Sequence, residues 1–147
     1  MTPDEYYMGL ALAEARTAAD ENEIPIGAVV VAAGRVIGRG HNQTERLSDV
    51  TAHAEMLAIS AAAQALGGKY LVNCTLYVTV EPCPMCAGAI GWSQIGRIVI
   101  GAPDPKRGYS RITAPGATPF HPRAQVVVGI RQDECAAIIQ DFFRKKR

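Results

Sequence analysis

The stretch Glu81-Pro82-Cys83-Pro84-Met85-Cys86 constrains this chain more than any other. It follows Thr75 to Val80, a β-rich run that reads as a strand, and leads into an apolar segment ending near Ser93 that reads as a helix. Pro84 suits the first turn of that helix, where a missing N–H costs nothing. Cys-x-x-Cys in a first helical turn puts both sulfurs on one face, because positions i and i+3 are neighbours. A helix N-terminus carries partial positive charge, which lowers thiol pKa and favours the thiolate that a metal needs. Taken alone, the same arrangement also describes a thiol–disulfide redox centre.

A second helix start narrows the choice. Thr51 precedes an alanine-rich helix expected over His53 to Leu66, with Gly67-Gly68 ending it. His53-Ala54-Glu55 opens this helix. One imidazole and two thiolates make three ligands and leave a fourth tetrahedral position open, the pattern of catalytic rather than structural zinc. His53, Cys83 and Cys86 are therefore expected to hold one Zn2+ per chain. Residues i and i+2 do not share a helix face, so His53 and Glu55 converge only if the helix N-terminus itself aims at the site. Glu55 is then the expected catalytic group, moving protons between water and substrate without ligating the metal. A redox centre would leave His53 and Glu55 without a role.

The rest of the chain sets the frame. Its 147 residues, at roughly 100–200 per domain, indicate a single domain over 1–147. Thr2-Pro3-Asp4-Glu5 is a capping box for a first helix to about Asp20, with Tyr7, Leu10, Ala11, Ala15 and Ala18 at helical spacing. Ile26 to Ala33 and Arg35 to Gly40 read as a hairpin joined at Gly34. Short strands follow at Arg97 to Gly101 and Gln125 to Gly129. Between them Ala102 to Ala124 holds five of the nine prolines, and loops of that length in a compact domain are usually functional or mobile. Cys135, Ile138, Ile139 and Phe142 give the last helix an apolar stripe. The order αββαβαββα predicts an α/β fold with a mixed sheet covered on both faces by helices. Cys74 and Cys135 lie in apolar-periodic segments and are expected to be core residues. His121 is expected to be an exposed polar residue of the loop, and His41 to shape a pocket beside Asn42. Neither is expected to ligate metal.

Charge is distributed unevenly. Residues 1–60 carry four basic and nine acidic side chains, and residues 61–147 carry eleven and five. The dense basic clusters are Lys106, Arg107 and Arg111, and the run Arg144 to Arg147. Clustered positive charge suits a polyanionic partner, though Lys and Arg at a helix end also complement its dipole. The longest apolar run, Ala28 to Ala33, is far short of the roughly 20 residues that span a bilayer. The acidic start Met1 to Glu5 shows no signal peptide. A soluble, cytoplasmic domain without membrane contact is expected. No GxGxxG or GxxxxGKS-type phosphate loop is present.

His53-x-Glu55 with Pro82-Cys83-x-x-Cys86 resembles the signature of the zinc nucleobase deaminases. Along nearly its whole length the chain is similar to the bacterial tRNA-specific adenosine deaminases. The matching stretches include Ile24 to Val29, Thr51 to Glu55, Tyr77 to Cys83, Met85 to Ala89, Asp133 to Ala137 and Asp141 to Arg144. The resemblance implies a three-layer αβα cytidine-deaminase-like fold with a five-stranded sheet, a homodimer, and conversion of adenosine to inosine at the wobble position of a tRNA anticodon. It implies that Asn42 and Ala54 contact the flipped base. It also implies that the loop around Asp104 and Lys106 contacts the anticodon loop. Pro84 between the cysteines is shared with guanine and other small-molecule deaminases. A free-base or nucleoside deaminase of guanine or cytosine type therefore stays the alternative at this stage, with a thiol–disulfide or structural-zinc module behind it.

Overall fold

The computed structural model describes residues 1–146. They form α1 (Pro3–Asp20), β1 (Gly27–Ala32), β2 (Arg35–His41), α2 (Ala54–Leu66), β3 (Cys74–Val80), α3 (Pro84–Trp92), β4 (Arg97–Ala102), a 3-10 turn (Tyr109–Arg111), β5 (Gln125–Val128) and α4 (Gln132–Lys145). The expected order holds, and no strand or helix end given from sequence for the first eight segments moves by more than one residue. No described helix is long and apolar enough to cross a membrane.

The five strands make one mixed sheet in the order β2-β1-β3-β4-β5. β1 is antiparallel to both β2 and β3, whereas β3, β4 and β5 run parallel. Ala33 and Gly34 both have positive φ, 51° and 74°, the two-residue hairpin turn whose twist matches that of the strands it joins. Side chains alternate between faces. Ala28, Val30, Leu76, Val78, Ile98 and Ile100 pack under α2 and α3. Val29, Val31, Tyr77 and Val99 pack with Met8, Ala11 and Leu12 of α1 and Cys135 of α4. Gly38 and Gly40 lie against the α2 backbone at Ala58 and Ala54, where a Cβ would collide, so α2 rests directly on β2.

Three details differ from the sequence reading. The buried stripe of α1 runs through Met8 and Leu12, with Tyr7 and Leu10 half-buried, because α4 covers less of this helix than the sheet does. On α4 only Cys135 of the expected stripe is fully buried; Ile138, Ile139 and Phe142 lie half-exposed at its edge. Cys74 and Cys135 are core residues as expected. The proline-rich segment serves as the crossover between parallel β4 and β5, a connection usually made by a helix. Phe120 anchors it in the core beneath Tyr109, ring centroids 4.9 Å apart.

One ion pair joins the N-terminus to the sheet. The Asp4 carboxylate accepts from Arg97 Nη1 at 2.7 Å and Nη2 at 2.6 Å, and from the Tyr77 hydroxyl at 2.7 Å. The Arg97 guanidinium holds the Asp4 carboxyl below its usual range. A depressed carboxyl pKa contributes stability above the unfolded value, and that contribution is lost as pH falls through the folded value. Asp4→Asn is expected to destabilise the chain by about 1 kcal/mol at pH 7, the scale of a mostly desolvated bidentate pair. Thermal melts at pH 7 and near pH 3 check this: the gap between the two proteins should shrink at the lower pH.

Candidate active site

The start of β1 and the carboxyl ends of β2, β3 and β4 lie on one edge of the sheet, since Gly27 faces His41, Ala28 faces Val78, and Val80 faces Ala102. The N-termini of α2 and α3 meet at this edge. His53 is the N-cap of α2 and Cys83 the N-cap of α3, and neither side chain caps its own helix. Both are thereby free to point into the site. His53 Nδ1 lies 3.6 Å from Cys83 Sγ and 3.4 Å from Cys86 Sγ. The three ligand atoms lie within 4.8 Å of one another, a spacing that a tetrahedral metal can bridge. The donor set is chemically suited as well. The Cys86 thiol donating to Cys83, together with His53, holds the Cys83 thiol down at about 4, so this sulfur is a thiolate at neutral pH. Its partner Cys86 is shifted up by the same hydrogen bond. His53 is raised, chiefly by its bond to Cys83. Two sulfurs and one imidazole select zinc over harder cations.

Glu55 stands beside this cluster and outside it. Its side chain is 4% exposed, and burial pushes its carboxyl up to about 7. A carboxyl poised there can both accept and return a proton near neutral pH. His53 and Glu55 converge because the α2 N-terminus aims into the cavity, the geometry that the i, i+2 spacing demanded.

A cavity of about 610 Å3 opens over the cluster, lined by His53, Ala54, Glu55 and Cys83 at its base and by Asn42, Asp104 and Arg107 on its walls. That volume lies within the roughly 300–1,000 Å3 typical of small-molecule sites. Asn42 is 6% exposed, its Oδ1 accepting from the Thr44 N–H at 3.4 Å. Asn42, Ala54 and Asp104 are thus brought together as expected. Lys106 is not. It lines an adjoining cavity between the 102–107 segment and α4, because a turn at Asp104 carries it past the rim. Arg107, which the sequence marked only by its charge, lines both cavities. Lys146 reaches a depression that also includes Asn42, Thr44 and Glu45, so the end of α4 lies near the mouth. Arg147 lies outside the described residues.

Neither other histidine joins the cluster. His41 faces away from the cavity, its Nε2 2.9 Å from Glu21 and its Nδ1 3.4 Å from Glu14. It therefore secures α1 and does not shape the pocket as expected. His121 is half-buried rather than exposed, its Nδ1 accepting from the Arg123 N–H at 3.1 Å within a turn.

Two glutamates overlooked in the sequence hold the walls. Glu23, 1% exposed, accepts from the N–H groups of Glu45 at 3.1 Å and Arg46 at 2.7 Å. Glu81 accepts from the Asp104 and Ser110 N–H groups at 3.1 and 2.9 Å and from the Ser110 hydroxyl at 2.7 Å. The sequence signal was slight: Glu81 directly follows β3, and Glu23 precedes the Ile24-Pro25-Ile26 approach to β1.

Known proteins share this arrangement. The profile of the cytidine and deoxycytidylate deaminase zinc-binding region matches residues 1–102. A tRNA-specific adenosine deaminase of Bacillus subtilis is 46% identical over 149 aligned positions, covering 100% of this chain and 92% of the relative. A chain solved in a study of A-to-I editing by tRNA:A34 deaminases at the wobble position of transfer RNA superposes with a TM-score of 0.82 at 46% identity, covering 90% of this chain and 98% of its own. A guanine deaminase from Nitrosomonas europaea gives a TM-score of 0.78 at 26% identity, over 94% of this chain and 83% of its own.

Removing either sulfur is expected to abolish stoichiometric metal. Purified Cys83→Ala and Cys86→Ala should each carry less than about a tenth of the wild-type zinc by elemental analysis, since the one imidazole and one thiolate that remain hold zinc poorly. Full zinc in both variants would refute the ligand set. His121→Ala should retain all of it.

Proposed function

The chain belongs to the cytidine and deoxycytidylate deaminase family, and from that premise we propose that it hydrolyses adenosine to inosine at the wobble position of a tRNA anticodon, with zinc as its cofactor. One observation carries the substrate assignment. The 46% identity to tRNA-specific adenosine deaminases spans the whole chain, α4 included, and so reaches beyond the zinc-binding region that ends at residue 102. Guanine deaminase shares the fold at 26% identity.

The residues of this chain divide the work. Held by His53, Cys83 and Cys86, zinc supplies Lewis-acid activation of the attacking water. Glu55, buried beside that position, takes a proton from the water and gives it to the ring nitrogen of adenine; it then takes the proton of the newly added hydroxyl and gives it to the exocyclic amino group, which leaves as ammonia. Burial keeps bulk water from competing for these protons. Uncapped N–H groups at the starts of α2 and α3 face the site and favour negative charge there. Asn42 and Ala54 border the space that the base enters. Asp104 and Arg107 form the outer wall, and Lys106 and Lys146 lie farther out, in reach of flanking phosphates.

An unpaired loop base costs least to flip into such a cavity, which favours an anticodon loop over duplex. Such a substrate is met in the cytoplasm. The assembly we assign is a homodimer. Met85, Gly88, Ala89 and Trp92 make an i, i+3, i+4, i+7 stripe on the outer face of α3, with Trp92 84% exposed, and an apolar stripe next to a catalytic site suits a second copy.

Two measurements test the reading. Glu55→Ala should keep its zinc while turnover of an anticodon stem-loop falls at least about a hundredfold, the scale of a lost acid–base group. Zinc loss in this variant would move Glu55 into the ligand set. Binding of the stem-loop should weaken with salt at about −0.7 in log-log slope per neutralised phosphate. Lys106→Ala with Arg107→Ala and removal of Arg144 to Arg147 should flatten that slope without changing zinc content. Deamination of free guanine or cytosine, with the stem-loop left intact, would favour the free-base alternative.

A further inference from the structure

The segment from Asp104 to Arg111 carries the outer wall of the cavity, yet it belongs to a long crossover without regular structure. Such a segment holds its shape only if its polar backbone groups are satisfied. Here one side chain satisfies a donor near each end of the segment. Glu81 Oε1 accepts from the Asp104 N–H at 3.1 Å, and Oε2 accepts from the Ser110 N–H at 2.9 Å and its hydroxyl at 2.7 Å. The main chain on either side follows the same course. Glu81 N–H donates to Ala102 O at 2.9 Å, Tyr109 N–H to Pro82 O at 2.9 Å, and Gly108 N–H to Asp104 O at 2.8 Å.

Gly108 is the contact point. A Cβ there would overlap the Glu81 carboxylate and come within 2.6 Å of the Asp104 carbonyl oxygen, although its φ of −70° is open to any residue. Glycine is needed at 108 for space and not for torsion. The Asp104 carboxylate then closes the turn by accepting from the N–H groups of Lys106 and Arg107, both at 3.1 Å. Glu81 is not among the metal-binding side chains, and its hydrogen bonds all go to the loop.

We infer that Glu81 is a positioning residue: its carboxylate clamps the 104–111 turn to the metal-binding segment two residues away, and so fixes where Asp104 and Arg107 meet the RNA. This inference rests on the tRNA reading for its substrate and on the loop geometry for its mechanism. Glu81 therefore governs recognition of the flanking RNA more than the chemical step. A glutamine there keeps one acceptor oxygen and turns an NH2 toward a backbone donor, which costs at least one charge-assisted hydrogen bond.

The test uses the zinc-loaded full chain and three variants: Glu81→Gln, Gly108→Ala, and both together. With an anticodon stem-loop as substrate, Glu81→Gln should raise KM about tenfold while kcat falls less than about threefold, the signature of lost binding without lost chemistry. Gly108→Ala should raise KM similarly. Because both loosen the same packing of the turn against the Glu81 carboxylate, the double variant should be no worse than about twofold beyond the poorer single variant, whereas independent defects would multiply. Limited trypsinolysis gives a readout without substrate: cleavage after Lys106, Arg107 or Arg111 should accelerate about tenfold in each variant, because a loop freed of its clamp opens more often. Zinc content should stay at the wild-type level. Unchanged cleavage rates overturn the clamp, as does a Glu81→Gln variant that loses zinc or loses kcat at constant KM. A wild-type chain that ignores the stem-loop overturns the functional reading instead, and the cleavage rates still decide the clamp.

Discussion

Two helix N-termini converge at the carboxyl edge of the sheet, and the site depends on that convergence. His53 and Cys83 occupy the positions at which a side chain ordinarily satisfies the first N–H groups of its helix, and here neither does so. The first-turn N–H groups are left facing the cavity, and their partial positive charge favours thiolate, carboxylate and the anionic character that develops during hydrolysis. The meeting of His53 with Cys83 and Cys86 and the placement of Glu55 follow from this single arrangement, while the Cys83 thiol is lowered first by Cys86 of its own helix and then by His53. It requires α2 and α3 to pack on the same face of the sheet. The alanines of α2 and the glycines of β2 permit that by letting helix and strand backbones approach closely.

Around this rigid base the walls are irregular segments, and each is held by a carboxylate. Glu23 accepts from the backbone of the loop that follows Asn42, and Glu81 from the backbone of the loop that carries Asp104. Carboxylates accepting main-chain N–H groups make bonds stronger than neutral pairs, so they can shape segments that have no ladder or helix of their own. The division is economical in sequence.

Charge follows the same logic. Many acidic side chains of the N-terminal half are engaged internally: Asp4 with Arg97, Glu5 in its capping box, Glu21 with His41 and Arg46, Glu23 with backbone. Among the described residues, Lys106 and Arg107 have no such carboxylate partner, and Lys146 lies over Phe142 at 5.0 Å from the ring centre, near the cavity mouth. The uneven charge along the chain thereby has a local counterpart in space, with Arg107 on the cavity wall and Lys106 and Lys146 beside adjoining depressions. A net charge of +1 is compatible with RNA binding because only that patch has to meet phosphates.

Local chemistry made much of this legible in the sequence. A capping box, glycine stops, alternating β-branched runs and a proline after Cys83 act over a few residues, so the element order and the meeting of His53, Cys83 and Cys86 could be read without knowing how the chain folds. The placement of Glu55 beside His53 followed from helix geometry, because residues two positions apart do not share a helix face and converge only at the helix end. Other features depended on contacts distant in the chain. His41 meets α1 residues twenty and more positions away, so its role could not be read beside Asn42. Lys106 and Arg107 are adjacent in sequence, yet a turn closed by Asp104 sends only one of them to the metal cavity. The same holds for Glu81, whose partners lie 23 and 29 residues away. Periodicity and caps are local signals, whereas carboxylates that organise loops act across the fold, and only the tertiary structure brings their partners within hydrogen-bonding distance.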